Sequence, residues 1–202
     1  MNAATSVLWM NGAFGGGKTC ACRALRALDP RWRLADPEIL GAFLRDAEAR
    51  NGQDFQEHPG WTRLVVAGLL ALDPTPDRPV AVPMSIHNEQ VWDAIEAGLA
   101  EGGLRTTHLF VDGPVAAIAE RIESAFAGSG EEAGSAEVRA FRFARLPAYL
   151  AAKDWLRNRA TVIGSASMAP TEVASAMLRI VAAREEDRDR GQVSAPSCSA
   201  TE

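Results

Sequence analysis

The feature that most constrains this chain is the run Gly12-Ala13-Phe14-Gly15-Gly16-Gly17-Lys18-Thr19. It fits G-x-x-x-x-G-K-[ST], the Walker A phosphate loop. Such a loop needs a strand in front of it and a helix behind it. Its glycines let consecutive backbone N–H groups turn inward around a phosphate, and the helix N-terminus adds favourable dipole charge. The flanks agree. Thr5 to Met10 is a short apolar run that predicts a buried strand, and Lys18 to Leu28 carries Ala and Leu at helical spacing until Asp29-Pro30 stops it. On this reading the backbone of Gly12 to Gly17 cradles phosphates, Lys18 reaches the β- and γ-phosphates, and Thr19 offers its hydroxyl to Mg²⁺. The plain alternative is a glycine-rich turn that holds no ligand.

Strand and helix patterns alternate along the rest of the chain. Trp32 to Ala35 reads as a second strand, and Asp36-Pro37 as an N-cap with proline at the first helical position. Ile39, Leu40, Phe43, Leu44 and Ala47 then repeat with a helical period. Residues 51–60 read as a loop, Trp61 to Leu72 as a helix, and Val80 to Ser85 as a strand whose Pro83 marks an end or an edge. Asn88 caps a helix that Gly102-Gly103 ends; Leu104 to Val111 is a strand and Pro114 to Phe126 a helix. Residues 127–137 are small and polar. Val138 to Leu156 is helical with an interruption at Pro147, Thr161 to Gly164 is a last strand, and Thr171 to Arg184 a last helix. The expected fold is α/β: a P-loop kinase-like three-layer sandwich with a mostly parallel sheet and a mobile helical lid. Residues 1–184 form one domain, with the lid at about 127–146, and residues 185–202 are expected as a disordered tail.

Composition removes several function classes. The net charge is −5 and no long basic run occurs, so no nucleic-acid partner is expected. Three cysteines build no disulfide framework, and His58, His87 and His108 are isolated rather than set at zinc spacing. The longest apolar run, Leu64 to Leu72, is far below the ~18 residues of a membrane span, and no secretory signal pattern opens the chain. A cytoplasmic protein is expected.

The phosphate loop says nothing of what receives a phosphoryl group. Asp36 ends the second strand, where ligands gather in a doubly wound sheet. A carboxylate there can take the proton of an attacking hydroxyl, hold a water on Mg²⁺, or simply cap a helix. No N-K-x-D motif is present to read guanine, which favours ATP, and no apolar strand ends in a clear Walker B aspartate. Motor and regulatory ATPases usually need that aspartate; small-molecule kinases often manage without it. Arg139, Arg142 and Arg145 follow the polar segment at three-residue intervals. They fit a lid that closes guanidinium groups over phosphates, or a solvated helix in an arginine-rich chain.

The strand running into NGAFGGGKT resembles the start of the tunicamycin-resistance (TmrB-like) family of ATP-binding proteins. Further blocks match in order: Asp36-Pro37-Glu38 with Leu44-Arg45, Asp54-Phe55-Gln56 with Pro59 and Trp61, and Val82-Pro83-Met84-Ser85-Ile86. The layout is also similar to antibiotic and shikimate-type kinases. The resemblance implies ATP-dependent resistance to tunicamycin-type nucleoside antibiotics through phosphorylation of a drug hydroxyl. It puts a lid arginine at Arg145 and acceptor contacts at Asp36, Glu38, Arg45, Phe55, Gln56, Trp61 and Met84. Phe55 or Trp61 would stack on a base or sugar or pack in the core; Gln56 would read a uracil edge; Arg45 would face the acceptor or water. The acidic, then Ser/Ala-rich tail replaces a longer basic extension of some relatives, which speaks against membrane association. The expected assembly is a monomer or homodimer. Two rivals to the resistance kinase are an ATP-dependent protein that only sequesters the drug and a metabolic nucleoside or nucleotide kinase.

Overall fold

The computed structural model describes residues 5–48, 54–124, 132–164 and 167–193. Strand β1 (Val7–Gly12) is buried at every position. It stands at the centre of a five-stranded parallel sheet ordered β2-β3-β1-β4-β5. The other strands are β2 (Arg33–Leu34), β3 (Val80–Pro83), β4 (Thr106–Asp112) and β5 (Thr161–Gly164). The helices are α1 (Lys18–Leu28), α2 (Glu38–Glu48), α3 (Pro59–Ala71), α4 (Glu89–Glu101), α5 (Val115–Ser124), α6 (Glu132–Ala144), α7 (Leu146–Arg159) and α8 (Pro170–Val193).

Side-chain alternation along β1 decides what packs where. Leu8 and Met10 point to one face and meet Cys22 and Leu25 of α1 and Ala174 and Met177 of α8. Val7 and Trp9 point to the other and meet Trp61, Val65, Trp92 and Ile95 of α3 and α4. On β4, Phe110 gathers Ile118, Ile122, Tyr149 and Leu156 from α5 and α7. Both faces of the parallel sheet are therefore covered, as a sheet with no solvated side requires.

Some boundaries depart from the sequence expectation. Pro83 is the last residue of an interior strand, paired with Met10, and the ladder continues through Met84 N–H to Met10 O. A proline is tolerated there because the strand ends with it. Within the expected loop at 51–60, of which residues 54–60 are described, Phe55–Glu57 form a 3-10 turn and α3 begins at Pro59. The break near Pro147 falls at Arg145, which caps α7. Helix α6 starts at Glu132, inside the segment expected to be flexible; residues 127–131 lie outside the described residues. Helix α8 does not stop at Arg184, the boundary expected from the sequence, but runs to Val193. The stretch beyond Arg184 mixes Glu and Arg, good helix formers, with Asp187, Asp189 and Gly191, which are poor ones. Residues 194–202 lie outside the described residues. Among the described residues no helix is long and apolar enough to cross a membrane.

Candidate nucleotide and acceptor site

The loop between β1 and α1 has the backbone its sequence demands. Gly15 and Gly17 adopt positive φ of 77° and 91°, and Gly17 is the left-handed N-cap of α1. Gly16 N–H donates to Ala13 O at 3.0 Å, closing the turn. Lys18 is only 7% exposed. Its Nζ donates to Ala13 O at 2.7 Å, Gly12 O at 3.3 Å and Ser85 Oγ at 2.7 Å. All three partners are neutral. Burial pushes its pKa down to about 8, against the pull of Glu38, the largest opposing influence. Asn11 braces the loop from behind: its Oδ1 accepts from Gly12 N–H and Ile86 N–H, and its Nδ2 donates to Ile86 O.

A cleft of about 710 Å³ opens above this loop. Phe14, Gly15, Gly17, Lys18 and Thr19 form its floor; Glu38, Arg45 and Phe55 form one wall; Val138, Phe141 and Arg142 of α6 form the other. The segment expected as a lid therefore lies over the phosphate loop. Phe141 meets Phe14 edge-on at 5.3 Å between ring centres. Arg139 is half-buried on the same helix but does not line the cleft. Arg145 ion-pairs with Asp54 across 91 residues of sequence, with its guanidinium 5.0 Å from the Phe141 ring centre.

The acceptor-side candidates separate into two groups. Glu38, Arg45 and Phe55 line the cleft, with the Arg45 guanidinium 5.0 Å over the Phe55 ring. Burial, then the nearby Asp36, raises the pKa of Glu38. Phe55 sits in the notch left by Gly41, where an added Cβ would lie 2.4 Å from the ring. Trp61 and Met84, by contrast, are fully buried. Trp61 donates to Pro37 O at 3.2 Å and packs in the α3–α4 core, so it takes the packing alternative and not the stacking one. Met84 belongs to the same core and has no surface at the cleft, a correction to its expected acceptor role. Gln56 donates to Ser85 O at 2.8 Å, which commits its amide nitrogen to the end of β3. Asp36 Oδ1 accepts from Glu38 N–H at 3.0 Å: it does cap α2, and its second oxygen has no hydrogen bond among the described residues.

Several site features escaped the sequence reading. Ser85, which falls within the block Val82 to Ile86 but has no role of its own in the sequence reading, stands just beyond β3 as the partner of Lys18. His87 lies between Phe14 and Tyr149 with Nε2 3.4 Å from Gly12 O, and burial drives its pKa down to about 4. A second hollow of about 240 Å³ borders the far side of the phosphate loop. Its walls include Val111, Arg121, Met168, Pro170 and Val173, and Arg121 also donates to Gly16 O at 3.4 Å. Asp112, at the end of β4, is no free Walker B carboxylate. Lys153 at 2.8 Å, Arg157 at 2.7 Å and Tyr149 at 2.8 Å all hold it. Burial alone would raise its pKa, but those hydrogen bonds outweigh burial and leave it lowered.

Sheet order, phosphate loop and overlying helix together define the P-loop kinase-like α/β fold. Solved structures agree with that class. A gluconokinase from Sinorhizobium meliloti superposes with a TM-score of 0.61 at 15% identity, covering 95% of this chain and 99% of its own. The shikimate kinase of Acinetobacter baumannii superposes with a TM-score of 0.54 at 17% identity, covering 90% and 95%. The chain is also similar to the tunicamycin resistance protein of Deinococcus radiodurans, with a TM-score of 0.60 at 24% identity over 88% of this chain and 96% of that one. No protein-family model and no curated protein sequence matches this chain.

Proposed function

We propose that this protein is an ATP-dependent phosphotransferase acting on an alcohol group of a small molecule, with a tunicamycin-type nucleoside antibiotic as acceptor and drug resistance as the result. The observation that carries the reading is the Lys18 ammonium: buried, bound only to neutral oxygens, at the foot of a two-walled cleft. A buried cation without an anionic partner is a costly arrangement that a phosphate relieves. The similarity to the tunicamycin resistance protein supports the acceptor class.

The residues present fit MgATP. The Gly12 to Gly17 backbone and Lys18 would hold the phosphates, Thr19 the Mg²⁺, and the hollow beside Arg121 a flat base. ATP would supply the phosphoryl group, and Mg²⁺ would offset its charge. The free oxygen of Asp36 takes the proton of the acceptor hydroxyl, while its other oxygen keeps α2 capped. Glu38, Arg45 and Phe55 orient the acceptor on one wall. Arg142 places positive charge on the other, Arg145 is held just after α6 by its pair with Asp54, and α6 excludes water. Asp36 thus combines the two roles its position allows.

The test is mass spectrometry of purified protein incubated with MgATP and a panel of uridine-containing antibiotics, tunicamycin among them, beside ordinary nucleosides. The expected product is an antibiotic heavier by one phosphoryl group, absent with Lys18→Ala. Robust turnover of common nucleosides alone would make the protein a metabolic kinase. Drug bound in the presence of ATP but never modified would make it a sequestering protein.

A further inference from the structure

The turn Asp54 to Glu57 touches α2, the end of β3 and the start of α7. Phe55 fills the Gly41 notch of α2. Gln56 Nε2 bonds to Ser85 O, and the same Ser85 accepts the Lys18 ammonium through its Oγ. Asp54 reaches the overlying helices. Its two carboxylate oxygens do different work: Oδ1 accepts from Gln56 N–H at 3.0 Å and caps the turn, while Oδ2 accepts from Arg145 Nη1. Arg145 is the junction between α6 and α7, capping the latter. The guanidinium is confined on a second side by the Phe141 ring, which itself packs on Phe14 of the phosphate loop. An arginine held by one carboxylate and one ring face has few rotamers left to it.

We infer that Asp54 is the positioning residue for Arg145: its carboxylate sets the guanidinium against Phe141 of the cleft wall and ties the covering helices to the acceptor wall. This inference rests on the phosphotransferase reading for its kinetic effect, though not for the tie itself. Charge, not shape, carries it. Asparagine can cap the turn as aspartate does, but it presents no charge to Arg145.

The test compares wild type, Asp54→Asn, Arg145→Ala, the double variant and Asp54→Glu. For Asp54→Asn the expected loss in kcat is on the order of 10–100-fold, the scale of a misplaced catalytic group, with KM for ATP within about twofold. Because the two residues act as one unit, the double variant should be no slower than Arg145→Ala by more than about twofold. Asp54→Glu should recover part of the loss. Losses that multiply in the double variant, or a loss seen only in KM for ATP, would overturn the inference. A second readout needs no chemistry: hydrogen exchange of amides 141–149 without nucleotide. Asp54→Asn and Arg145→Ala should each speed it, and the double variant no further. Unchanged exchange in Asp54→Asn would also overturn the inference. If the wild type phosphorylates nothing in the panel, the functional reading falls, and the exchange cycle alone decides the role of Asp54.

Discussion

Lys18 Nζ lies 2.7 Å from Ser85 Oγ, and no carboxylate takes the place of that hydroxyl. The ammonium is thus buried among neutral oxygens, and burial holds its pKa near 8, well below its ordinary value. Below pH 8 both the folded and the unfolded chain carry this proton, so the cost of burial is fully present. Between about 8 and 10.5 the folded chain loses the proton first, and the cost is relieved as pH rises. Lys18→Met should therefore melt higher than the wild type at pH 7, by a margin that narrows towards pH 10, while losing MgATP binding. Thermal unfolding across that range measures the margin. Calorimetry at pH 9 in buffers of different ionisation heat should show proton uptake when MgATP binds the wild type. A Lys18→Met protein that melts lower at pH 7 would contradict this account.

Asp36→Asn separates capping from proton transfer. Asparagine caps a helix about as well as aspartate, so the Glu38 N–H keeps its acceptor. Turnover should fall by at least ~10²-fold with ATP affinity little changed, the usual scale of a lost general base. Normal turnover in Asp36→Asn would leave the cap as the sole role.

Gly41 is where the acceptor wall is most tightly fitted. A Cβ added there would stand 2.4 Å from Phe55 Cγ, so the ring must leave the notch. Gly41→Ala should cost about 1–3 kcal/mol, the range for overpacking, and should raise KM for the acceptor more than KM for ATP. Denaturant unfolding and steady-state kinetics on the same preparation test both halves. An unshifted acceptor KM would remove Phe55 from the acceptor wall.

Two histidines make the fold sensitive to acid. Burial holds the pKa of His108 near 3 and that of His87 near 4. His108 also lies stacked on Trp92, with ring centres 3.8 Å apart. Both rings are neutral in the folded chain, whereas the unfolded chain protonates them below about pH 6.5. Stability should therefore fall as pH drops from 6.5 towards 4. His108→Gln should be less stable at pH 7 yet lose less between pH 6.5 and 4. Urea midpoints at pH 5 and 7 suffice to compare them, and an equal acid loss in both proteins would refute the assignment.

Much of the local architecture was legible without coordinates. The glycines of the phosphate loop, the Asn88 cap and the start of α1 at Lys18 all follow from short-range chemistry. The sequence places the end of α8 at Arg184 because the apolar spacing that marks a packed helix stops near there, while the helical backbone continues to Val193. Trp61 illustrates a different failure. An aromatic residue beside a loop reads equally as a stacking platform or as core, and only the packing of α3 against β1 and β3 buries it completely.

The sequence by itself determined what depends on neighbours along the chain: a phosphate loop between strand and helix, alternating strands and helices, and hence a parallel sheet with two covered faces. Tertiary structure alone decided which groups meet. It set Ser85 against Lys18, Asp54 against Arg145 and Arg121 against Gly16, and it closed Asp112 off with Lys153 and Arg157. The reason is physical. Motifs and periodicities are written in dihedral preferences and spacings a few residues long. A contact between residues 91 positions apart arises only once hydrophobic faces have chosen a strand order, and many arginines in this chain are chemically equivalent until that choice places one of them.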